Sequence, residues 1–147
     1  MASGEKSLSK DIEDKVLASF ARQSFMATLG ANIEEIKWGQ VRTSFSLDPS
    51  LLQQHGYLHA GVSTAIVDSA CGYAALTTGP ADCDVLTAEY KTSFLRPASG
   101  ERFQALGKVL KPGRNLVYCE GEVWEIAPNS KLIVKMSATM MLQIGRS

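Results

Sequence analysis

Residues 57–78 read YLHAGVSTAIVDSACGYAALTT, and this stretch decides the fold. Small residues recur throughout it, and the apolar residues Val62, Ile66 and Tyr73 fall on one face of a helix. We expect a helix over about 59–77. A helix with such small side chains is suited to close packing against a sheet that curls around it.

The residues before this helix predict two smaller units. The first nine, MASGEKSLS, are polar and are expected to be flexible. Apolar residues at helical spacing and the stop signal Gly30 predict one or two helices over 10–29. Residues 31–47 predict two short strands that meet near Trp38-Gly39-Gln40, a turn candidate.

The residues after the helix predict four strands, over 85–94, 102–110, 115–126 and 131–144, separated by turn-forming segments. The last strand has the clearest apolar face: Leu132, Val134, Met136, Ala138, Met140, Leu142 and Ile144. Consecutive strands joined by short turns predict an antiparallel sheet, and therefore an α+β fold.

The composition excludes several classes of protein. The 147 residues are enough for one domain, predicted over 1–147, and the fifteen basic and fifteen acidic residues cancel. We therefore expect no nucleic-acid partner. No apolar run reaches the roughly 18–20 residues of a membrane span, so no membrane partner is expected. Three cysteines without a C-x-x-C pair favour a reducing cytoplasm and argue against disulfides and zinc.

Asp68 is the one formally charged residue among Asp, Glu, Lys and Arg between Pro49 and Ala81. Helical geometry places it beside Thr64 and Cys71, away from the apolar face of the helix. A solvated helix face would explain an isolated Asp, but such a face normally carries several charges. A carboxylate with uncharged neighbours should have a raised pKa, which suits a general base.

Polar residues gather just before this helix. Gln53, His55 and His59 precede Ala60 and Gly61, whose small side chains leave backbone N–H groups at the helix start accessible. Such donors can bind a carbonyl oxygen that gains negative charge. The two histidines also have the H-x3-H spacing of metal ligands, but no third ligand follows, so no metal is expected. A purely structural role for His59 stays open.

The run Gln53-Gln54-His55-Gly56-Tyr57-Leu58-His59-Ala60-Gly61, followed by Asp68, closely resembles the PaaI-type hotdog thioesterases. That family has a pattern like N/Q-x-x-G-x-x-H-G-G-x6-D. The resemblance extends over about 25–144, including Val85 to Lys91, Phe94 to Ala98 and the Gly113-Arg114 turn. It implies a hotdog fold, in which an antiparallel sheet of five or six strands wraps around a central helix.

The resemblance also implies an activity, which is hydrolysis of an acyl-CoA thioester to a free acid and CoA. Asp68 would be the general base or the nucleophile, and the residue after His59 would donate its N–H to the thioester carbonyl. Gln53 would help to place the thioester or water, and Thr87 would hydrogen-bond the acid or water. Subunits of the family pair edge to edge into homodimers, often tetramers, with active sites shared between two chains.

The sequence departs from the pattern at Ala60, where the family has glycine. Donation from the alanine N–H survives unless the position requires a positive φ. Coenzyme A is expected only as part of the substrate, with no separate cofactor. Arg96, Lys111 and Arg114 stand beside turns and are candidates to bind its phosphates, although ordinary solvated charges would look the same.

Two other functions remain open at the level of the sequence. One is a hotdog dehydratase acting on 3-hydroxyacyl thioesters, which also uses a histidine and an acid. The other is a non-catalytic acyl-CoA-binding oligomer. Pure binding would not require Asp68, and the spacing around Gln53 fits the thioesterase better.

Overall fold

The computed structural model describes residues 4–145, and its first elements are two short helices. Helix α1 spans Lys10–Ala21 and α2 spans Ser24–Thr28, which confirms the helices predicted over 10–29. The Ser9 hydroxyl caps α1 by accepting from the Ile12 N–H. Residues 4–9 of the predicted flexible start have no regular structure, and residues 1–3 lie outside the described residues.

A hairpin follows, with strand β1 at Asn32–Lys37 and strand β2 at Gln40–Ser46. Gly39 in its turn has φ of +72°, a backbone conformation that favours glycine. The two strands predicted around this turn are therefore confirmed. A 3₁₀ turn at Pro49–Leu51 and an irregular loop connect the hairpin to the central helix.

The central helix α3 spans Ala60–Leu76, close to the predicted bounds, and is the longest helix of the described residues at 17 residues. None of the helices in residues 4–145 could cross a membrane. The sheet approaches α3 so closely that a Cβ on Gly107 would lie 2.3 Å from the Ala70 carbonyl carbon. The sheet wraps α3 because glycine stands at the points of closest contact.

This wrapping corrects the predicted helix faces. Helical spacing predicts Cys71 on the Asp68 side of α3, away from the core, but its side chain is fully buried. A Cβ on Gly121 would lie 3.0 Å from the Cys71 Sγ, so this side also packs against the sheet. The core surrounds most of α3 because the sheet curls around it.

Four long strands complete the sheet: β3 at Cys83–Phe94, β4 at Arg102–Lys111, β5 at Leu116–Ala127 and β6 at Lys131–Ile144. The strand order is β1-β2-β4-β5-β6-β3, and every neighbouring pair is antiparallel. The predicted α+β hotdog fold is confirmed, with six strands around α3. Strands β1 and β3 form the two edges.

Two strands differ from their predicted patterns. Strand β3 begins at Cys83 rather than at residue 85, and an irregularity between Thr87 and Glu89 interrupts its alternation. In β6, Ile133 is fully buried while Leu132 is half-buried, because the pairing with β5 shifts at this point. Such bulges reverse which side chains face the core.

Candidate active site

Asp68 lies in the middle of α3, half-buried beside strand β3. The Thr87 hydroxyl donates a hydrogen bond to Asp68 Oδ1 at 2.8 Å. Burial raises the pKa of Asp68, and the bond from Thr87 lowers it by a smaller amount. Two residues singled out from the sequence are thus in direct contact, although their bond is exposed to solvent in the single chain. A half-buried carboxylate with a raised pKa is chemically suited to act as a general base.

A pocket of about 160 Å³ opens beside this pair. Its lining comes from α1, the N-cap of α2, α3 and β3: Ser19, Gln23, Asp68, Ser69, Gly72, Tyr73, Leu76, Asp84, Val85 and Thr87. Most of these side chains are polar. The contributions of Ser19 from α1 and of Gln23 from the N-cap of α2 were not predicted, because nothing in the local sequence links this region to α3.

The loop before α3 is held by backbone hydrogen bonds to its neighbours. The Leu58 N–H donates to the Ala98 carbonyl, and the His59 N–H donates to the Leu51 carbonyl, both at 2.9 Å. The Gln53 side-chain carbonyl accepts from the His55 N–H. These contacts fix the position at which α3 begins.

His59 is the N-cap of α3, and its Nδ1 accepts from the Gly61 N–H at 2.8 Å. The Gly61 N–H is therefore already used in capping α3. The Ala60 N–H has no acceptor among the described residues. No non-glycine residue among them has a positive φ, so Ala60 takes its place without backbone strain. Of the two predicted oxyanion donors, Ala60 is the one with an unused N–H.

A second pocket, of about 280 Å³, lies at this end of α3. Gln53, His59 and Ala60 line it, together with Phe94 and Arg96 from the end of β3 and the segment after it. Asp68 is eight residues beyond Ala60, or about 12 Å along the helix axis. Within one chain, the predicted residues therefore form two separate groups: an acid site around Asp68 and an oxyanion site around Ala60.

The three candidate CoA-binding cations also divide between the two ends of the sheet. Arg96 donates to the Leu132 carbonyl at 2.7 Å beside the oxyanion site. Lys111 and Arg114 belong to the β4–β5 hairpin. Lys111 pairs with Tyr118 of β5, Tyr118 pairs with Thr139 of β6, and Thr139 pairs with Glu89 of β3, so these four residues form one row across the sheet. That row is next to Thr87, so this hairpin lies at the acid end.

The cysteines do not offer a nucleophile in place of Asp68. Cys71, Cys83 and Cys119 are all buried and unpaired. Burial raises the pKa of Cys119 to about 12 and that of Cys71 well above its ordinary value, so their thiols stay protonated at neutral pH. Among residues 4–145 there is also no group of three His, Cys, Asp or Glu side chains that could bind one metal ion.

Comparisons with known proteins point to one family. The family model of the thioesterase superfamily matches residues 55–129, slightly more than half of the chain. A protein of Saccharolobus solfataricus with a provisional esterase name is 31% identical over 114 residues, which cover 78% of this chain and 74% of that protein.

Solved structures agree with that assignment. A thioesterase family protein from Silicibacter pomeroyi is 44% identical, has a TM-score of 0.89, and is matched over 91% of this chain and 99% of its own. The E. coli PaaI protein from the phenylacetic acid degradation operon is 19% identical with a TM-score of 0.86, over 95% of this chain and 99% of its own, and shares the fold. The chain belongs to the thioesterase superfamily and is a thioester hydrolase.

Proposed function

We propose that this hydrolase cleaves acyl-CoA thioesters, with Asp68 activating the attacking water or attacking the thioester itself. The observation that carries this proposal is the half-buried Asp68 carboxylate, hydrogen-bonded to Thr87 at the mouth of a pocket. A raised pKa makes the carboxylate a stronger base, while the bond from Thr87 fixes its orientation. Coenzyme A takes part only as the leaving group of the substrate.

The donor to the thioester oxygen is the Ala60 N–H at the start of α3. This N–H is unused in the described residues, and it lies at the positive end of a 17-residue helix. A tetrahedral intermediate places its oxyanion within about 3 Å of such a donor. The Asp68 carboxylate of the same chain is too far away along the helix to act on that intermediate.

A second subunit brings the two parts together. Strand β3 is a sheet edge that pairs only with β6 among the described strands, and Leu86, Tyr90 and Phe94 on it are each about half exposed. An unpaired edge of 12 residues is a template for pairing with another strand. Two β3 edges that pair antiparallel about a two-fold axis set the Thr87 end of one strand against the Phe94 end of the other.

This pairing predicts the composition of each site. Phe94 borders the pocket that contains Ala60 and His59, so the partner's Ala60 comes toward Asp68. Each of the two sites then contains the acid of one chain and the oxyanion donor of the other. The same operation brings Arg96 of the partner subunit to the end of the sheet that carries Lys111 and Arg114, where the three cations can meet the phosphates of CoA.

A further exposed apolar surface supports association of dimers into tetramers. It lies on the face of the sheet opposite α3 and consists of Leu110, Leu116, Tyr118 and Met141, which are 36–60% exposed. Leu116 and Met141 are paired neighbours on β5 and β6. Clustered apolar side chains on a sheet face are typical of protein–protein contacts.

The test is a thiol-release assay over a panel of acyl-CoA thioesters, with Asp68→Asn as the inactive variant. The amide keeps the size of the side chain but cannot accept the proton of water, so we expect kcat to fall by about 10²–10⁴-fold. Asp11→Asn, on the exposed surface of α1, is the matched control. An Asp68→Asn enzyme with unchanged kcat would contradict the mechanism, and acyl-CoA binding without thiol release would favour a non-catalytic binder.

A further inference from the structure

The pocket beside Asp68 has a polar wall that the proposed hydrolysis does not use. The Ser69 hydroxyl donates to Gln23 Oε1 at 2.8 Å, and Gln23 Nε2 donates to the Tyr73 hydroxyl at 3.4 Å. That hydroxyl also shares a hydrogen bond with Ser19 Oγ at 3.1 Å. A network of four uncharged side chains therefore lines the pocket next to the catalytic acid.

The size of the pocket limits what it can hold. Its volume of about 160 Å³ is similar to that of a cavity of about 150 Å³ that holds one benzene molecule. Benzene has six carbon atoms, so an acyl group of about six carbons fits a pocket of this volume.

The network has hydrogen-bonding capacity left for a ligand. The Gln23 carboxamide has two N–H donors, of which one bonds Tyr73, and each hydroxyl can both donate and accept. A purely aliphatic group in this pocket would cover these polar atoms without pairing them, which is unfavourable. A ligand with a hydroxyl or another neutral polar group at its end would pair with them.

The charges around the pocket disfavour an anionic group. Asp68 and Asp84 both line it, and neither lysine nor arginine is among its described lining residues. Arg22 is close enough to Tyr73 to lower the pKa of the phenol, but burial raises that pKa by more. The Arg22 guanidinium itself donates to the Ala18 carbonyl outside the pocket.

We propose that this pocket selects an acyl group of about six carbons that ends in a neutral hydrogen-bonding group, with Gln23 and Tyr73 as the specificity-determining residues. The inference rests on the proposed acyl-CoA hydrolysis. It excludes long aliphatic chains by volume and dicarboxylic acyl groups by charge.

A matched set of thioesters tests it: hexanoyl-CoA, 6-hydroxyhexanoyl-CoA, adipoyl-CoA and palmitoyl-CoA. The first three have the same number of acyl carbons and differ only at the far end. Two neutral hydrogen bonds give 6-hydroxyhexanoyl-CoA a kcat/KM about ten-fold above that of hexanoyl-CoA. Adipoyl-CoA and palmitoyl-CoA are hydrolysed more slowly than hexanoyl-CoA.

Variants then locate the preference. Gln23→Leu and Tyr73→Phe each lower the ratio of kcat/KM for 6-hydroxyhexanoyl-CoA over hexanoyl-CoA by about three-fold or more. Gln104→Leu is the matched control, because Gln104 lines a groove on the opposite face of the sheet, and its ratio equals that of the parent enzyme. Because a ratio compares two substrates on the same preparation, partial loss of folded protein does not alter it.

The outcomes separate this inference from the proposed function. Hydrolysis of hexanoyl-CoA at a rate equal to or above that of the hydroxylated substrate overturns the inference and leaves acyl-CoA hydrolysis standing. A preference that neither variant reduces also overturns it, because the recognition would then lie elsewhere. Failure to release thiol from any acyl-CoA contradicts the proposed function, and the inference falls with it.

Discussion

Replacing Ala60 with proline removes one backbone N–H and should change little else. Ala60 is the first residue of α3, a position at which proline is well tolerated because the helix makes no use of that N–H. The residue before a proline must be extended, and His59 already is, with φ of −61° and ψ of 135°. The Ala60 side chain is exposed, so there is room for the ring.

The expected effects of Ala60→Pro on folding and on catalysis are opposite. The free energy of unfolding should stay constant or rise by about 0.4–1 kcal/mol, because proline restricts the unfolded chain. Loss of one oxyanion donor should lower kcat by about 10²–10³-fold, or roughly 2.7–4 kcal/mol of transition-state stabilisation. Chemical denaturation measures the first effect, and thiol release under saturating acyl-CoA measures the second.

Ala60→Gly is the matched control, since glycine keeps the N–H and is the residue that the family pattern has at this position. It should retain kcat within a few-fold. A proline variant that folds normally, keeps its oligomeric state and turns over at nearly the parent rate would refute the assignment of the Ala60 N–H as the oxyanion donor.

Four other perturbations test separate parts of the account. Thr87→Val removes the hydrogen bond that favours ionised Asp68, so the Asp68 pKa should rise further and the acidic limb of the pH profile of kcat/KM should move to higher pH. Because burial raises the Asp68 pKa in the folded state, the contribution of Asp68 to stability is present at low pH and is lost as the pH rises through that pKa. Asp68→Asn should therefore raise the melting temperature relative to the parent at pH 7, and by less near pH 3. Gly107→Ala should destabilise the fold by about 1–3 kcal/mol in chemical denaturation, because the new methyl group meets the Ala70 backbone. Tyr90→Glu places like charges near the axis of the proposed β3 pairing, so light scattering should detect monomers and hydrolysis should be lost together with the dimer; an active monomer would exclude a shared site.

The central helix and its acid could be predicted because each has a local signal. Small residues over 60–76 permit close contact with a sheet, and the observed helix matches this segment almost to the residue. Asp68 was conspicuous because it is the one formal charge between Pro49 and Ala81, whereas a solvated helix face normally has several. The hydrogen bond from Thr87 to Asp68 is the contact that the family resemblance led us to expect, while the catalytic roles of both residues stay predictions.

The polar wall of the pocket could not be predicted, because it depends on how α1 and the N-cap of α2 pack against α3. Gln23 hydrogen-bonds Ser69 and Tyr73, which are 46 and 50 residues away in the sequence. The periodicity of a helix predicts which of its own faces is apolar, but not which distant residue packs against that face. Likewise, the alternation in β3 predicted a strand but not its position. Whether a strand is central or at an edge depends on which partners the whole sheet provides.

The bulges in β3 and β6 were missed for a related reason. An extra residue shifts the alternation between core and solvent, and the sequence of one strand does not reveal where its neighbour forces that shift. The separation of Asp68 from Ala60, by contrast, does not depend on any neighbouring element. It follows from the rise of a helix alone, and it is the reason that a second subunit enters the proposed mechanism.

The claim that Asp68 acts in a site completed by a second chain is tested most directly by mixing two inactive variants. Asp68→Asn and Ala60→Pro subunits, combined so that heterodimers form, give one site with both lesions and one intact site in each heterodimer. A random equal mixture should therefore recover about a quarter of the parent activity, as expected for a two-fold symmetric dimer. If each site were contained in one chain, heterodimers would have no intact site, and a mixture as inactive as its components would contradict the account.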